Sequence, residues 1–190
     1  MNHKILNKLE NMIHVSPQLI RNPDTLRQAI RGTFAVDVED VEFTTIGELV
    51  DRIDDRVLDH YFRHVWQGHI AKFKYSGPAL IGEINKLKPR KVLDIGCGYH
   101  EFKGKIDNLV GIDPYNNAAD ICVKLLDYHP EEKYDAIMAL GSINFGSTDK
   151  IFAELEHARN LCNPGAVMFF RANPGLPHDP DESNWISFYP

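Results

Sequence analysis

A short apolar segment that ends in a glycine turn constrains the fold of this chain more than any other feature. It covers residues 91–98 and reads KVLDIGCG. Val92, Leu93 and Ile95 fit a buried strand of a parallel sheet, and the two glycines let the backbone approach a ligand that a Cβ would exclude. The segment therefore predicts a ligand-binding turn at the carboxyl end of a strand.

A second short apolar strand is predicted at residues 109–113, and it ends in a carboxylate, Asp113. Asp94 lies just before the glycine turn of the first strand. Open α/β sheets bind ligands at the carboxyl ends of their strands. We therefore expect Asp94 and Asp113 to lie along one binding edge.

The turn at residues 94–98 (DIGCG) and the strand end at residues 111–113 (GID) resemble the first two motifs of class I S-adenosylmethionine-dependent methyltransferases. The resemblance extends from about residue 75 to about residue 173, which is about half of the chain. The nearest alternative is a nicotinamide-dependent oxidoreductase, whose G-x-G-x-x-G fingerprint has a third glycine for close helix packing. Glu101 stands at that position and disfavours this alternative.

Length and composition favour one ordinary domain with a small appendage. The chain has 190 residues, of which 43% are hydrophobic, and this is enough for one core. The formal net charge of −6 does not favour sequence-independent adhesion to nucleic acid. Three widely spaced cysteines indicate a reducing compartment. No apolar run has the length of a membrane span and no signal-peptide pattern is present, so we expect a cytoplasmic protein without a membrane partner.

Two parts are predicted along the chain: an N-terminal helical cap at residues 1–75 and an S-adenosylmethionine-binding, methyltransferase-like domain at residues 76–190. Within the cap, residues 22–25 (NPDT) are typical of a helix start, and residues 45–48 (TIGE) fit a capping box. Apolar residues then recur at helical spacing after each start signal.

Strands and helices alternate in the second part, which predicts an α/β fold with a doubly wound, mostly parallel sheet. By the resemblance, this is a Rossmann-like methyltransferase fold. The predicted elements are a helix at 76–87, strands at 91–96, 109–113, 120–125 and 134–140, a helix at 148–161, and a strand at 166–171.

The chain departs from the family pattern in two places. His100 replaces the third small residue of the first loop, and the segment 99–105 is about one helical turn shorter than the usual first helix. The stretch after Asn173 is too short for the further helix and two strands that the family adds. We therefore expect a C-terminally abbreviated fold, which is either a fragment of a longer protein or a homo-oligomer that pairs along the apolar edge strand at residues 167–170.

The resemblance implies a binding site for the cofactor S-adenosylmethionine. Asp94 would interact with the methionyl amino end through water or backbone, Asp113 would accept hydrogen bonds from both ribose hydroxyls, and Asp127 would face the adenine amino group. A simple turn-forming role is the alternative for Asp113 and Asp127, because each precedes a turn. The full set of predicted cofactor-binding residues is Asp94, Gly96, Cys97, Gly98, Asp113, Pro114, Asp127, Gly141 and Ser142.

Fewer sequence features identify the residues that act on the methyl acceptor. Methyl transfer is an in-line displacement, so the protein mainly holds donor and acceptor in reacting geometry. The family places acceptor chemistry in the loop at residues 141–146, where Asn144 could orient an acceptor with its amide. His100 and His129 are candidates for a general base. Ordinary loop roles are the alternative for all three.

No metal site is predicted. His60, His64 and His69 lie in the cap, and the first two are spaced to face one way on a helix. No carboxylate or cysteine at a zinc-like spacing completes the set. Methyl transfer to many acceptors also requires no metal.

The sequence thus predicts an S-adenosylmethionine-dependent methyltransferase with an unidentified acceptor, and a small molecule is favoured. The loop at residues 141–146 lacks the motifs of enzymes that methylate nucleic-acid amino groups or cytosine carbon. Two alternatives stay open. One is a non-catalytic module that binds S-adenosylmethionine or S-adenosylhomocysteine, and the other is a nucleic-acid methyltransferase whose cap contacts the substrate.

Overall fold

The computed structural model describes residues 1–66, 77–172 and 185–186. The chain divides into two compact units: residues 1–68 with residues 175–190, and residues 69–174. The predicted boundary at residues 75 and 76 lies outside the described residues and stays a prediction. No helix in the described ranges combines the length and the apolar content needed to cross a bilayer.

Each α-helix described in the N-terminal unit begins at a polar residue that caps it. The side chain of Asn2 accepts hydrogen bonds from the first turn of α1, Asn22 accepts from Thr25 at 3.1 Å, and Thr45 accepts from Glu48 at 3.3 Å. Such caps satisfy backbone N–H groups that have no partner within the helix. The helices are α1 (His3–Val15), α2 (Pro23–Phe34) and α3 (Ile46–His60), with a 3₁₀ turn (Pro17–Arg21) before α2 and a π-helical turn (Tyr61–Val65) continuing α3.

Trp185 packs with these helices, although it is distant from them in the sequence. Its ring meets that of Phe34 edge-on, with centroids 4.7 Å apart. The buried side-chain amide of Asn2 donates to the carbonyl of Trp185 at 2.6 Å and to the carboxylate of Asp54 on α3 at 2.8 Å. Asn2 therefore links the start of α1 both to α3 and to Trp185.

The second unit contains a parallel sheet, as the sequence predicted. The strand order is β2-β1-β3-β4 and every pairing is parallel. The chain leaves β1 in one direction to form β2 and returns to the other side to form β3, so the order reverses between β1 and β3. Ligands bind at such a switch point in open α/β sheets. The elements are α4 (Ala79–Lys86), β1 (Val92–Ile95), β2 (Leu109–Ile112), β3 (Tyr134–Leu140), α5 (Thr148–Asn160) and β4 (Cys162–Arg171).

Both faces of the central strands are buried, which explains why β1 and β3 read as nearly continuous apolar runs. One face packs Leu93 and Ile137 with Ala158 of α5. The opposite face packs Val92 with Ile84 of α4. Helices therefore cover both sides of the sheet, and the predicted doubly wound α/β fold is confirmed.

The third predicted strand, at residues 120–125, is wrong: the structure has only a single bridge between Ile112 and Ile121. The Asp120 side chain, rather than a neighbouring backbone, accepts the outward N–H of Gly111 at 2.9 Å. The next N–H that faces this side is that of Tyr115, and it donates to the side chain of Asp113 at 2.8 Å and not to a neighbouring strand. The ladder therefore ends after one bridge, and the chain enters a 3₁₀ turn (Leu125–Asp127).

The connection from β1 to β2 contains no helix. It consists of turns, yet Phe102 and Ile106 within it are buried in the cluster on the α4 side of the sheet. The last strand begins earlier than predicted, at Cys162, and its register with β3 is irregular between Tyr134 and Ala136. Both differences concern lengths and local geometry, and the sheet is parallel as predicted.

Candidate functional site

The glycine turn after β1 is held against the neighbouring strand and loop. Gly96 has a φ of 68°, and the N–H groups of Gly96 and Cys97 both donate to the carbonyl of Ile112, at 2.8 and 3.1 Å. A Cβ at Gly96 would clash with the Cβ of Ser142, whose hydroxyl donates to the carbonyl of Ile95. Glycine is required here because the loop after β3 lies directly against the turn, whereas the sequence analysis attributed this requirement to a ligand.

Asp113 fastens this turn to the end of β2. Its Oδ2 accepts the N–H of Gly98 at 2.9 Å, and its Oδ1 accepts the N–H groups of Tyr115 and Asn116 at 2.8 and 2.9 Å. The side chain is buried, with 8% exposure of the residue. A carboxylate has about four acceptor positions, and three are used by the backbone. About one position is left, while the resemblance predicts contacts to two ribose hydroxyls.

Asp94, unlike Asp113, is buried with one carboxylate oxygen that accepts no hydrogen bond from the described residues. The residue is 2% exposed, and its Oδ2 has no hydrogen-bond partner among the described residues. Burial raises the pKa of Asp94 from 3.8 to about 7, and the charge of Asp113 adds to this. Because side chains alternate along a strand, Asp94 shares the α4-side face with Val92. A positive group at this oxygen would therefore relieve an electrostatic penalty.

His100 and Cys97 lie against β2 at Gly111. A Cβ at Gly111 would come within 2.5 Å of Nε2 of His100 and within 2.8 Å of the sulfur of Cys97. His100 is 8% exposed, its Nδ1 lies 3.3 Å from the carbonyl of Ala118, and its Nε2 lies 3.5 Å from the carboxylate of Asp120. The pKa of the Cys97 thiol is raised by burial and by nearby carboxylates, so the thiol stays protonated.

Asp120 is an organising residue that the sequence analysis missed. Both of its oxygens accept hydrogen bonds from the ammonium group of Lys103, at 2.7 and 2.8 Å, and one of them also accepts from the N–H of Gly111. Burial disfavours the charged form, but the bonds from Lys103 and Gly111 outweigh it and lower the pKa of Asp120. The glycine in the middle of β2 was the available signal, because such a glycine marks a close approach.

The remaining predicted residues occupy different environments. Asn144 is buried in the loop after β3, Gly141 opens that loop with a φ of 95°, and Pro114 is half-buried. Asp127 lies exposed in the 3₁₀ turn, and His129 is also exposed. Hydrogen bonds and close packing therefore join Gly96, Gly98, Asp113 and Ser142 into one rim, and Asp94 is near enough to feel the charge of Asp113.

The described residues contain no group of three or more histidine, cysteine, aspartate or glutamate side chains arranged to hold a metal ion. The rings of His60 and His64 lie near each other, with centroids 5.2 Å apart. His69 lies outside the described residues.

Several solved structures resemble the chain in fold. They include the N-methyltransferase NodS from Bradyrhizobium japonicum in complex with S-adenosylhomocysteine, at 16% identity and a TM-score of 0.42 over 49% of this chain and 60% of NodS. The sugar N-methyltransferase KedS8 from a Streptoalloteichus species aligns at 15% identity and a TM-score of 0.49, over 75% of this chain and 60% of KedS8. The 1,6-didemethyltoxoflavin-N1-methyltransferase from Burkholderia thailandensis aligns at 12% identity and a TM-score of 0.49, over 80% of this chain and 76% of that enzyme.

The chain spans 60% of the length of NodS and of KedS8. No protein-family model and no curated protein matches it. All three structures are named as methyltransferases. The fold assignment of this chain depends on its own strand order and glycine turn.

Proposed function

We propose that the chain binds S-adenosylmethionine at the rim formed by the ends of β1, β2 and β3 and transfers the methyl group to a small-molecule acceptor. One observation carries the proposal: Asp94 is a buried carboxylate without a described partner for Oδ2, at the carboxyl end of β1 beside the switch point of the sheet. A buried charge is retained only when something compensates it. A cationic ligand supplies that compensation.

The residues of the rim fit the chemical groups of this cofactor. The methionyl ammonium is a positive hydrogen-bond donor, which suits the unpartnered oxygen of Asp94. Asp113 has about one acceptor position beyond its three backbone bonds, which suits one ribose hydroxyl. Asp127 is exposed and available to accept from an adenine amino group.

The cofactor supplies an electrophilic methyl group, and the protein supplies position and a dry surface. Gly98, held by Asp113, fixes one wall of the rim. Ser142, bonded to the carbonyl of Ile95, fixes the loop after β3 as the second wall. Asn144 is buried in the same loop, and we assign it the orientation of the acceptor. These fixed walls hold donor and acceptor in line, which is the main requirement of a displacement reaction.

His100 is less suited than Asn144 to act on the acceptor, because its ring is packed against Gly111 and Asp120. His129 is exposed and stays a candidate for a general base. A cytoplasmic location is part of the proposal and is supported by the three free cysteines, since paired cysteines are the rule in oxidising compartments.

Calorimetry with S-adenosylmethionine tests this function. We expect the wild-type chain to bind it and Asp94→Asn to bind about ten-fold or more weakly, because a charge-assisted hydrogen bond contributes about 1.5 to 3 kcal/mol. Asp107→Asn is the matched control, since Asp107 is an exposed carboxylate of the β1–β2 connection. NAD should bind none of the three proteins. Absence of wild-type binding, or equal binding by the two variants, would contradict the assignment.

A non-catalytic binding module is the second candidate. It is favoured by the altered first loop, since the connection from β1 to β2 consists of turns without a helix. Release of S-adenosylhomocysteine in the presence of a panel of small amines and hydroxyl compounds distinguishes the two. Turnover with any acceptor supports the enzyme, whereas persistent binding without turnover across the panel supports the module.

We also propose that a second copy of the chain pairs along β4. This strand lies at one end of the described sheet. Val167 and Phe170 on it are 38% and 47% exposed. An apolar edge strand of this kind is open to pairing with another chain.

A further inference from the structure

A small cavity in the N-terminal unit is bordered by one arginine, two histidines and two aspartates. Its volume is about 170 Å³, and Arg56, His60 and His64 line one side while the turn after α2, including Asp37, lines the other. Pockets for drug-sized ligands measure about 300 to 1,000 Å³. This cavity therefore suits a small ion or a single polar group of a larger ligand.

The π-helical turn at the end of α3 contributes to this arrangement. Arg56, His60 and His64 are spaced four residues apart. His64 lies within the π turn Tyr61–Val65, and residues four apart are neighbours on a helix surface. The ring centroids of His60 and His64 are accordingly 5.2 Å apart. Single π turns are frequent at functional sites.

The carboxylates beside the cavity already have arginine partners. Asp37 accepts two hydrogen bonds from Arg27, at 2.7 and 2.8 Å, and Asp59 accepts one from Arg63 at 2.8 Å. Each carboxylate of the lining is thus paired with an arginine from outside the lining, and Arg56 adds a positive charge to the lining itself. An anion is the ligand that this balance favours.

We propose that this cavity binds a phosphate group, either as free phosphate or as part of a phosphorylated small molecule. Guanidinium groups recognise phosphate through paired hydrogen bonds. A protonated imidazole donates at both nitrogens, and a phosphate ester carries about 1.5 to 2 negative charges at pH 7. Protonation of the two imidazoles should therefore strengthen the attraction.

The pH dependence of this binding depends on every charged group around the two imidazoles. Arg56 and Asp59 lie on α3, and Arg63 lies in the π turn. From the facing side come Asp37 with its partner Arg27, and Arg31, whose charge reaches Asp37. The arginines stay charged throughout, and the hydrogen bonds from Arg27 lower the pKa of Asp37. A neutral imidazole keeps only one N–H donor, so loss of a proton from His60 or His64 would weaken binding of an anion.

Calorimetric titration with inorganic phosphate and with glycerol phosphate at about pH 6.5 tests the proposal. Arg56→Gln should weaken binding about ten-fold or more, and the pair His60→Gln with His64→Gln should weaken it several-fold and remove its decline toward higher pH. Lys8→Gln and His14→Gln are matched controls, because both residues are exposed on α1 outside the cavity. Arg56, His60 and His64 are also exposed, so the variants should fold, which circular dichroism checks.

Equal affinity for the two ligands would identify free phosphate as sufficient, and tighter binding of glycerol phosphate would identify a phosphorylated small molecule. Both results support the site. The proposal would be overturned if neither ligand bound at millimolar concentration. So would binding that Arg56→Gln leaves unchanged, or histidine proton resonances that shift with zinc but not with phosphate, which would indicate a metal site instead.

Discussion

The buried carboxylate of Asp94 makes a prediction about stability that does not depend on any ligand. Its pKa is raised from 3.8 to about 7, first by burial and then by the charge of Asp113. One pKa unit corresponds to about 1.4 kcal/mol, so ionising Asp94 in the folded chain costs on the order of 4 kcal/mol. Replacing it with asparagine, which has nearly the same shape and no charge, removes this cost.

The direction in which the free energy of unfolding changes with pH follows from proton binding. Below about pH 4, Asp94 holds its proton in both the folded and the unfolded chain, and there is no penalty. Between about pH 4 and pH 7 the unfolded chain has lost the proton and the folded chain keeps it, so the free energy of unfolding falls as the pH rises. Above about pH 7 both forms are ionised and the loss levels off. The advantage of Asp94→Asn over the wild type should therefore grow by about 2 to 3 kcal/mol between pH 5 and pH 8.

Urea unfolding of both proteins at several pH values measures this growth. Glu154, whose pKa burial raises to about 7, titrates in both proteins and cancels in the difference. Asp107→Asn replaces an exposed carboxylate and should follow the wild type at every pH. A difference between Asp94→Asn and the wild type that does not change with pH would refute the reasoning, because it would mean that Asp94 ionises as a hydrated carboxylate does.

Two further predictions concern packing and assembly. Gly111→Ala should lower the free energy of unfolding by about 1 to 3 kcal/mol, since its Cβ would come within 2.5 Å of His100. Adding His100→Ala should recover part of this loss. Gly82→Ala is the control, because a Cβ there meets open space and should cause no loss of this size. Equal effects of Gly111→Ala with and without His100 would contradict this contact. In light scattering, the wild type should be a dimer and Phe170→Lys should be a monomer. Phe152→Lys is the control, because Phe152 is exposed on α5 and its replacement should leave the dimer intact. A monomeric wild type would rule out pairing along β4.

Local signals in the sequence were sufficient for most of the elements. Asn22 and Thr45 precede helices that do begin there, because a capping side chain and the N–H groups that it satisfies are only two or three residues apart. The strands β1 and β3 could be predicted from their apolar runs, because both of their faces are covered by helices. In both cases the determining interaction is encoded within a short segment.

The missing third strand could not be predicted in this way. Residues 120–125 have a composition that suits a strand, but Asp120 uses its side chain to satisfy Gly111 and Lys103. Whether a backbone N–H pairs with a strand or with a carboxylate depends on residues that are distant in the sequence. The position of His100 against Gly111 has the same origin, because it depends on how the β1–β2 connection folds back on β2.

The difference in hydrogen bonding between Asp94 and Asp113 is the part of the site that only the structure could reveal. In the sequence the two residues look alike, since each is an aspartate at the end of a short apolar strand. In the fold, three backbone N–H groups converge on Asp113 and stabilise its charge, while Oδ2 of Asp94 receives no hydrogen bond from the part of the chain that the structure describes. The charge of Asp113 is thus used mainly to hold the glycine turn, and the unsatisfied charge of Asp94 is left to select a cation. It follows that substitutions at Asp113 act on folding and binding together, whereas Asp94→Asn separates them: it should increase stability near neutral pH while it weakens binding of a positively charged ligand.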